Sequence, residues 1–313
     1  MLHRIKTAYW LPLLVVVFAC KTIFAQDLDP RTYVKTPVHT TTVVSGFAYS
    51  RGGVVTDPTL PVQNIKAHVE AVSIGLAHSF NFFGLSSQAL VALPYSWANV
   101  SGEVGNQQKE VHRSGLADMR LRFSVLFLGA PAATLAEMRQ QKPQKTILGA
   151  SINVVAPTGE FQTGKLINLG ANRWAFRPEL ALSQAVGKRF MVDVYAGVWF
   201  FTNNNSFYPG SALRTQEPMA TLQGHFSYNI SPKAWVAINT TYYMGGTSAI
   251  DHTVKDDRQS NMRVGITGVI PTGPLSSLKL AASTGAVVRI GQDFSTYSIG
   301  WQRSWIQGLT TKK

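Results

Sequence analysis

The sequence predicts an all-β fold, a closed antiparallel transmembrane β-barrel of about twelve strands that follows a cleaved signal peptide. Three observations predict it. Segments of strict apolar/polar alternation recur along the chain, aromatic residues gather near their ends, and the connections between them alternate short and long. Gly115 to Val125 shows the pattern most clearly, with Met119, Leu121, Phe123 and Val125 on one side and Arg120, Arg122 and Ser124 on the other. Successive side chains of a strand point to opposite faces, so this segment has one greasy face and one charged face. In a bilayer such strands must close into a ring, because hydrocarbon cannot satisfy the unpaired backbone groups of a sheet edge.

The first element is an export signal. Arg4 and Lys6 precede the apolar run Ala8 to Cys20, about a dozen residues long, which suits a signal-peptide core. A spanning helix needs roughly 20 such residues, and no other helix-length apolar run exists. Cleavage is expected after Ala25, which gives a signal peptide over 1–25. Residues 26–39 are expected to form a periplasmic N-terminal segment, residues 40–305 the barrel, and residues 306–313 a C-terminal tail. Cys20, the one cysteine, is expected to leave with the signal, taking disulfide and thiolate chemistry with it.

Removing Arg4, Lys6 and Lys21, with no acidic residue before Asp27, lowers the formal charge from +13 to +10. The basic residues are spread singly along alternating segments rather than in a tract. That spread suits a lumen lining, or outer-membrane lipid and lipopolysaccharide headgroups as partners, and argues against nucleic acid. A charged content of 14% is too small for the surface of a large soluble β-sandwich.

The strands are expected near 40–50, 65–79, 86–98, 115–128, 146–156 and 174–186, then 190–202, 218–230, 234–245, 260–271, 277–288 and 294–305. Phe190, Val192, Val194, Ala196 and Val198 oppose Asp193, Tyr195 and Gly197. Leu222, Phe226 and Tyr228 oppose Gln223, His225, Ser227 and Asn229. Short turns with Gly or Pro at the bend lie at 81–84, 187–189, 231–233 and 272–276. Longer polar loops lie near 51–64, 99–114, 157–173, 203–217 and 246–259. The connector 130–145 breaks the rhythm, and its Ala-Ala-Thr-Leu-Ala-Glu-Met-Arg core predicts one short helix. Trp199-Phe-Phe201, Tyr242-Tyr243, Phe82-Phe83 and Trp301 with Trp305 suit an interfacial aromatic girdle.

Several segments carry a family resemblance: Ser114-Gly-Leu-Ala-Asp-Met-Arg-Leu-Arg-Phe123, Val155-Ala-Pro-Thr-Gly159, Asn168-Leu-Gly-Ala-Asn-Arg-Trp174 and Phe176-Arg-Pro-Glu-Leu180. Gly197-Val-Trp-Phe-Phe-Thr202, Leu222-Gln-Gly-His225 and Thr241-Tyr-Tyr-Met-Gly-Gly246 add to it. Together they are similar to the bacterial outer-membrane proteins grouped under the phenol-degradation meta-pathway name, over most of residues 40–305. The resemblance implies a barrel in the bacterial outer membrane and a channel for aromatic or other hydrophobic compounds. One departure concerns a further partner. The barrel assembly machinery reads a terminal aromatic residue in many barrels, whereas here Ile306 to Lys313 follow Trp305.

No phosphate-cradling glycine loop, zinc helix, calcium loop or nucleophile elbow is present, and the seven histidines lack metal-ligand spacing. No cofactor and no metal are expected. His225 and Ser227 share a strand face, as a base and a hydroxyl nucleophile would, which leaves a lipid hydrolase as the enzymatic alternative. Their face is the one turned to the lumen, and no orienting acid or amide is identifiable. The stronger signal is the set of ionisable residues on the polar faces: Arg120, Arg122, Arg177, Glu179, Asp193 and Arg263, with Lys279 beside them. Buried charges of this kind either cross-link strands and plug the lumen or select a small-molecule solute by charge. The expectation is a non-enzymatic channel lined or gated by the four arginines, with Glu179 and Asp193 as counter-charges. A structural or surface-binding barrel is the third alternative.

Overall fold

A computed structural model describes residues 28–55, 62–104, 107–141, 145–208 and 210–307. The expected signal peptide and residues 308–313 of the expected tail lie outside the described residues. The chain opens with β1 (Thr40–Val55), β2 (Val62–Phe82), β3 (Leu85–Val104), β4 (Gln107–Leu116) and β5 (Met119–Pro131). After the helix α1 (Leu135–Gln140) come β6 (Thr146–Ala156), β7 (Ala175–Val186), β8 (Phe190–Phe201), β9 (Asn204–Phe207) and β10 (Ala212–Gln216). Then follow β11 (Met219–Asn229), β12 (Trp235–Gly245), β13 (Ser248–Ile250), β14 (Thr253–Val254), β15 (Gln259–Gly273), β16 (Ser276–Val287) and β17 (Gly291–Ile306).

Twelve positions make the ring, in the order β1-β17-β16-β15-β12-β11-β8-β7-β6-β5-β3-β2, and β2 runs beside β1 to close it. Every hydrogen-bonded pair in it is antiparallel, with β1 held to β17 from Thr40↔Ile306 to Val55↔Gly291. β4 and β5 share one position. β5 pairs with β3 up to Arg120↔Ala92, and β4 takes over from Leu116↔Tyr95 outward.

Alternation sets the faces. On β7, Glu179 is 5% exposed and its neighbour Leu180 is 64% exposed. On β11, Thr221, Gln223, His225 and Ser227 are buried inward, and Leu222 and Phe226 stand on the outer surface. The outer belt of Ile74, Leu180, Ile238, Ile266 and Leu280 is what a bilayer requires of a spanning barrel.

The short turns sit at one end. At the Phe82/Leu85 turn, Phe83 and Gly84 both adopt positive φ (50° and 84°), the geometry of a tight hairpin. The Gly84 N–H donates to Asn81 Oδ1 at 2.7 Å. The 130–145 connector does contain its helix. Thr134 is the N-cap, and its backbone N–H donates to Glu137 Oε2 at 2.7 Å, closing a capping box.

Four loop expectations need correction. Residues 51–55 and 62–64 continue as strand, and 99–104 pairs with 107–114 as a tall hairpin. Asn99, for example, pairs with both His68 and His112. These polar residues read as loop in the sequence, although they pair across the hairpin. The loops expected at 203–217 and 246–259 contribute β9, β10, β13 and β14, which form a separate four-stranded sheet at the long-loop end.

The aromatic girdle is also narrower than expected. Phe200, Tyr242, Phe82, Trp301 and Trp305 lie on the outer surface, whereas Trp199, Phe201 and Tyr243 point inward. Strand alternation forbids three consecutive residues from sharing a face, so a Trp-Phe-Phe run had to divide.

Candidate functional site

The inward face differs from one side of the ring to the other. β5 to β8, β11 and β12 present large polar and aromatic side chains. β1, β2, β16 and β17 present Gly46, Ala48, Ala71, Ser73, Ala281, Ser298 and other small residues.

Residues 28–38 are not a free tail. They run up against the polar side of the lumen, with Tyr33 at their centre and 1% exposed. Its hydroxyl donates to Glu179 Oε1 at 2.8 Å and lies 2.7 Å from Ser151 Oγ. The Tyr33 ring meets the Tyr195 ring edge-on at 4.9 Å, and the Arg122 guanidinium covers it at 4.6 Å. Gly149 makes room for this ring, since a Cβ there would lie 2.7 Å from Tyr33 Cδ1. Backbone groups tie the same segment down. Arg31 N–H donates to Asp193 Oδ2 at 3.3 Å, and Thr32 N–H donates to the Tyr195 hydroxyl at 3.2 Å. The Arg31 side chain lies over the Trp235 ring, and Asp29 pairs with Lys279.

All six ionisable candidates project inward, but they do not form one cluster. Arg177 NH2 sits 3.3 Å from Glu179 Oε2, with its guanidinium over the Trp199 ring at 4.9 Å. Gln223 Nε2 donates to the same Glu179 oxygen at 3.1 Å. Asp193 faces Arg31 of the N-terminal segment rather than one of the four strand arginines. Arg263 NH2 donates to the Phe294 carbonyl at 2.8 Å and to Ser283 Oγ at 3.3 Å, lacing β15 to β17 and β16. Arg120 lines an open cavity of about 230 Å³. Lys279, Asp29, Ser73, Ser283 and Thr296 also line it.

His225 and Ser227 do share the inward face. An orienting amide, not identifiable in the sequence, is present: Asn239 Oδ1 lies 2.9 Å from His225 Nδ1, and Asn239 Nδ2 donates to Thr267 Oγ1 at 2.9 Å. His225 Nε2 and Ser227 Oγ have no hydrogen-bond partner among the described residues, so no bond joins base to hydroxyl.

Asp118 is a loop-holding residue that the strand pattern did not single out. It lies at the break between β4 and β5, 8% exposed, and its carboxylate accepts from Gly159 N–H at 3.0 Å and Ala171 N–H at 2.8 Å. Arg113 Nε donates to the Ile167 carbonyl at 3.1 Å. Together they hold the 157–173 loop against the rim of the barrel. Tyr33 and Asp29 were missed because their segment has no periodicity. Asn239 could have been found, since it falls opposite His225 once β11 and β12 are paired.

Comparison with known proteins places these features in context. A family profile described as "Putative MetA-pathway of phenol degradation" matches residues 60–289. A crystal structure of an outer membrane channel from Pseudomonas putida F1 is similar at 23% identity, with a TM-score of 0.77 over 89% of this chain and 100% of that one. The transport unit of the autotransporter AIDA-I from Escherichia coli aligns at 10% identity and TM-score 0.51, over 90% and 94% of the two chains. The β domain of a Bordetella autotransporter aligns at 11% and 0.50, over 85% and 100%. At these identities the likeness is one of fold. No curated protein matches the chain.

Proposed function

We propose that this chain, which belongs to the family described as "Putative MetA-pathway of phenol degradation", is a passive outer-membrane channel for small solutes. The observation that carries the reading is the lopsided lumen. One side is filled by charged and aromatic side chains and by residues 28–38, and the other is lined by Gly, Ala, Ser and Thr around an open cavity. A plug alone would have no use for a wall of small side chains. The solute path follows that wall, and the short turns face the periplasm, as in barrels of this kind. The similar Pseudomonas putida structure is itself named a channel, which supports the same reading. Outer-membrane lipid and lipopolysaccharide surround the barrel, and the barrel assembly machinery inserts it.

The experiment is ion conductance in planar bilayers. Wild-type protein should conduct, and Ala281→Phe, which fills the cavity from β16, should lower the conductance. A folded wild type that passes no current would overturn the proposal in favour of a structural barrel.

The His225–Asn239 hydrogen bond keeps one rival in view, a lipid hydrolase using His225 and Ser227. Against it, both side chains face the lumen, away from acyl chains, and no bond links them. Purified wild-type protein is expected to show only background phospholipid hydrolysis. Hydrolysis abolished by Ser227→Ala would reverse the order of the two readings.

A further inference from the structure

We infer that Arg173 and Arg214, at the long-loop end of the barrel, form a binding site for a tetrahedral oxyanion of the phosphate or phosphate-monoester class. The site stands whether or not the barrel conducts.

The elements that carry the two arginines are fixed to each other. Arg173 closes the 157–173 loop, and Arg214 lies on β10 opposite Asn204 of β9. Asn204 is 2% exposed and bonds to the loop twice. Its Nδ2 donates to the Ala171 carbonyl at 3.1 Å, and its Oδ1 accepts from Asn172 Nδ2 at 3.0 Å. The strand partner of Arg214 is thus tied to the two residues just before Arg173. Each guanidinium also rests on a ring, Arg173 over Phe201 at 4.5 Å and Arg214 over Phe207 at 5.2 Å. Arg173 NH2 donates to Gln216 Oε1, and Gln216 Nε2 donates in turn to the Gly246 carbonyl at 2.8 Å.

Arg173 NH1 is different. It is buried and has no hydrogen-bond partner among the described residues. A buried donor left unmade is costly, and more so on a charged group. Burial and the nearby charge of Arg214 push the Arg173 guanidinium down to about 10. An anion set between the two arginines would accept from NH1 and offset their repulsion. One carboxylate, Asp257, acts on Arg214, and it is already engaged. Its Oδ1 accepts from Ser248 N–H at 2.7 Å and its Oδ2 from Ser248 Oγ. Two guanidiniums against one carboxylate leave one positive charge over.

The number of donors selects the shape of the ligand. A carboxylate has two oxygens in one plane, which a single guanidinium fork satisfies. Two guanidiniums on separate elements suit an acceptor with oxygens in more than one plane, as phosphate has. Phe201 stacks with Trp199 at 6.4 Å on the inward face of β8, so the site continues that aromatic row to the mouth of the barrel.

Inorganic phosphate is the probe, titrated calorimetrically into the folded full-length protein in detergent, with sodium chloride to screen exposed charges. Acetate is the planar comparison. Phosphate should bind saturably and acetate far more weakly. Arg173→Gln and Arg214→Gln should each weaken phosphate by about ten- to a hundredfold, the loss of a hydrogen bond to a charged group. Arg214 stands on the small outer sheet rather than in the ring, so its variant keeps the test independent of barrel folding. Lys188→Gln, which removes one charge at a short turn, should bind as wild type. Absence of phosphate binding to the wild type would overturn the inference. So would equal affinity for acetate, wild-type affinity in both arginine variants, or an equal loss in Lys188→Gln. The same titration in phosphatidylcholine nanodiscs, with and without lipid A, separates two sources of the ligand. Binding lost only where lipid A is present assigns the site to a lipid headgroup phosphate, and binding kept in both assigns it to a dissolved one.

Discussion

Leu121 and Arg122 are adjacent in sequence and face opposite environments, so exchanging their chemistry separates lipid from lumen. A new Arg on the lipid face costs roughly 2–4 kcal/mol at mid-membrane and less near the interfaces, whereas a lumen substitution tunes selectivity. Leu121→Arg should therefore lower the yield of folding into liposomes well below wild type. Arg122→Ala should fold, because it removes only a guanidinium stacked on the Tyr33 ring. Equal losses for the two would mean that the register is wrong. Tyr33 supports a second prediction. Truncating a buried aromatic side chain costs about 3–5 kcal/mol, and here the loss falls on the centre of the 28–38 segment. Tyr33→Ala should speed amide hydrogen exchange over residues 29–38 and raise conductance, and unchanged exchange would show that the backbone bonds to Asp193 and Tyr195 suffice. What the sequence could reveal at this scale was the direction of each strand residue, which depends only on parity. It could not reveal partners. Asp193 meets Arg31, and His225 meets Asn239, through pairings between distant segments that parity does not encode.

Among the elements, the membrane-level strands were legible because lipid on one side and lumen on the other write a period of two into the sequence. β6, β7, β8, β11 and β12 fall within a residue or two of their expected limits. The strand extensions at 99–104 and 107–114 were not legible, since polar residues such as Asn99 and His112 read as loop although they pair. The 157–173 loop belongs to this scale as well. It contains no strand, and its position rests on the Asp118 carboxylate and on Asn168, whose side chain accepts from Gln162 N–H at 2.8 Å and donates to the Lys165 carbonyl at 2.8 Å. A hydrogen bond to a charged group contributes about 1.5–3 kcal/mol, and Asp118 makes two. In Asp118→Ala the loop should come loose while the barrel stays intact, so trypsin should cut after Lys165 faster than in wild type. Identical cleavage rates would place the restraint elsewhere.

For the molecule as a whole, the barrel was readable and its contents were not. Closure follows from the rule that no sheet edge survives in hydrocarbon. That residues 28–38 enter the ring could be learned only from the complementary shapes of Tyr33 and Gly149. N-terminal sequencing of the membrane-extracted protein should begin at Gln26, and an intact Met1 would refute the expected signal cleavage.

The seat of Tyr33 also imposes an order of events on assembly. Ser151, Glu179 and Tyr195 lie on β6, β7 and β8, more than a hundred residues downstream, and none of them offers a docking surface until those strands are paired. Loops of that length close late, because their entropy must be overcome before any contact rewards it. Residues 28–38 therefore reach their native place only after β6, β7 and β8 have paired. Until then the nascent ring is an emptier vessel than the finished one.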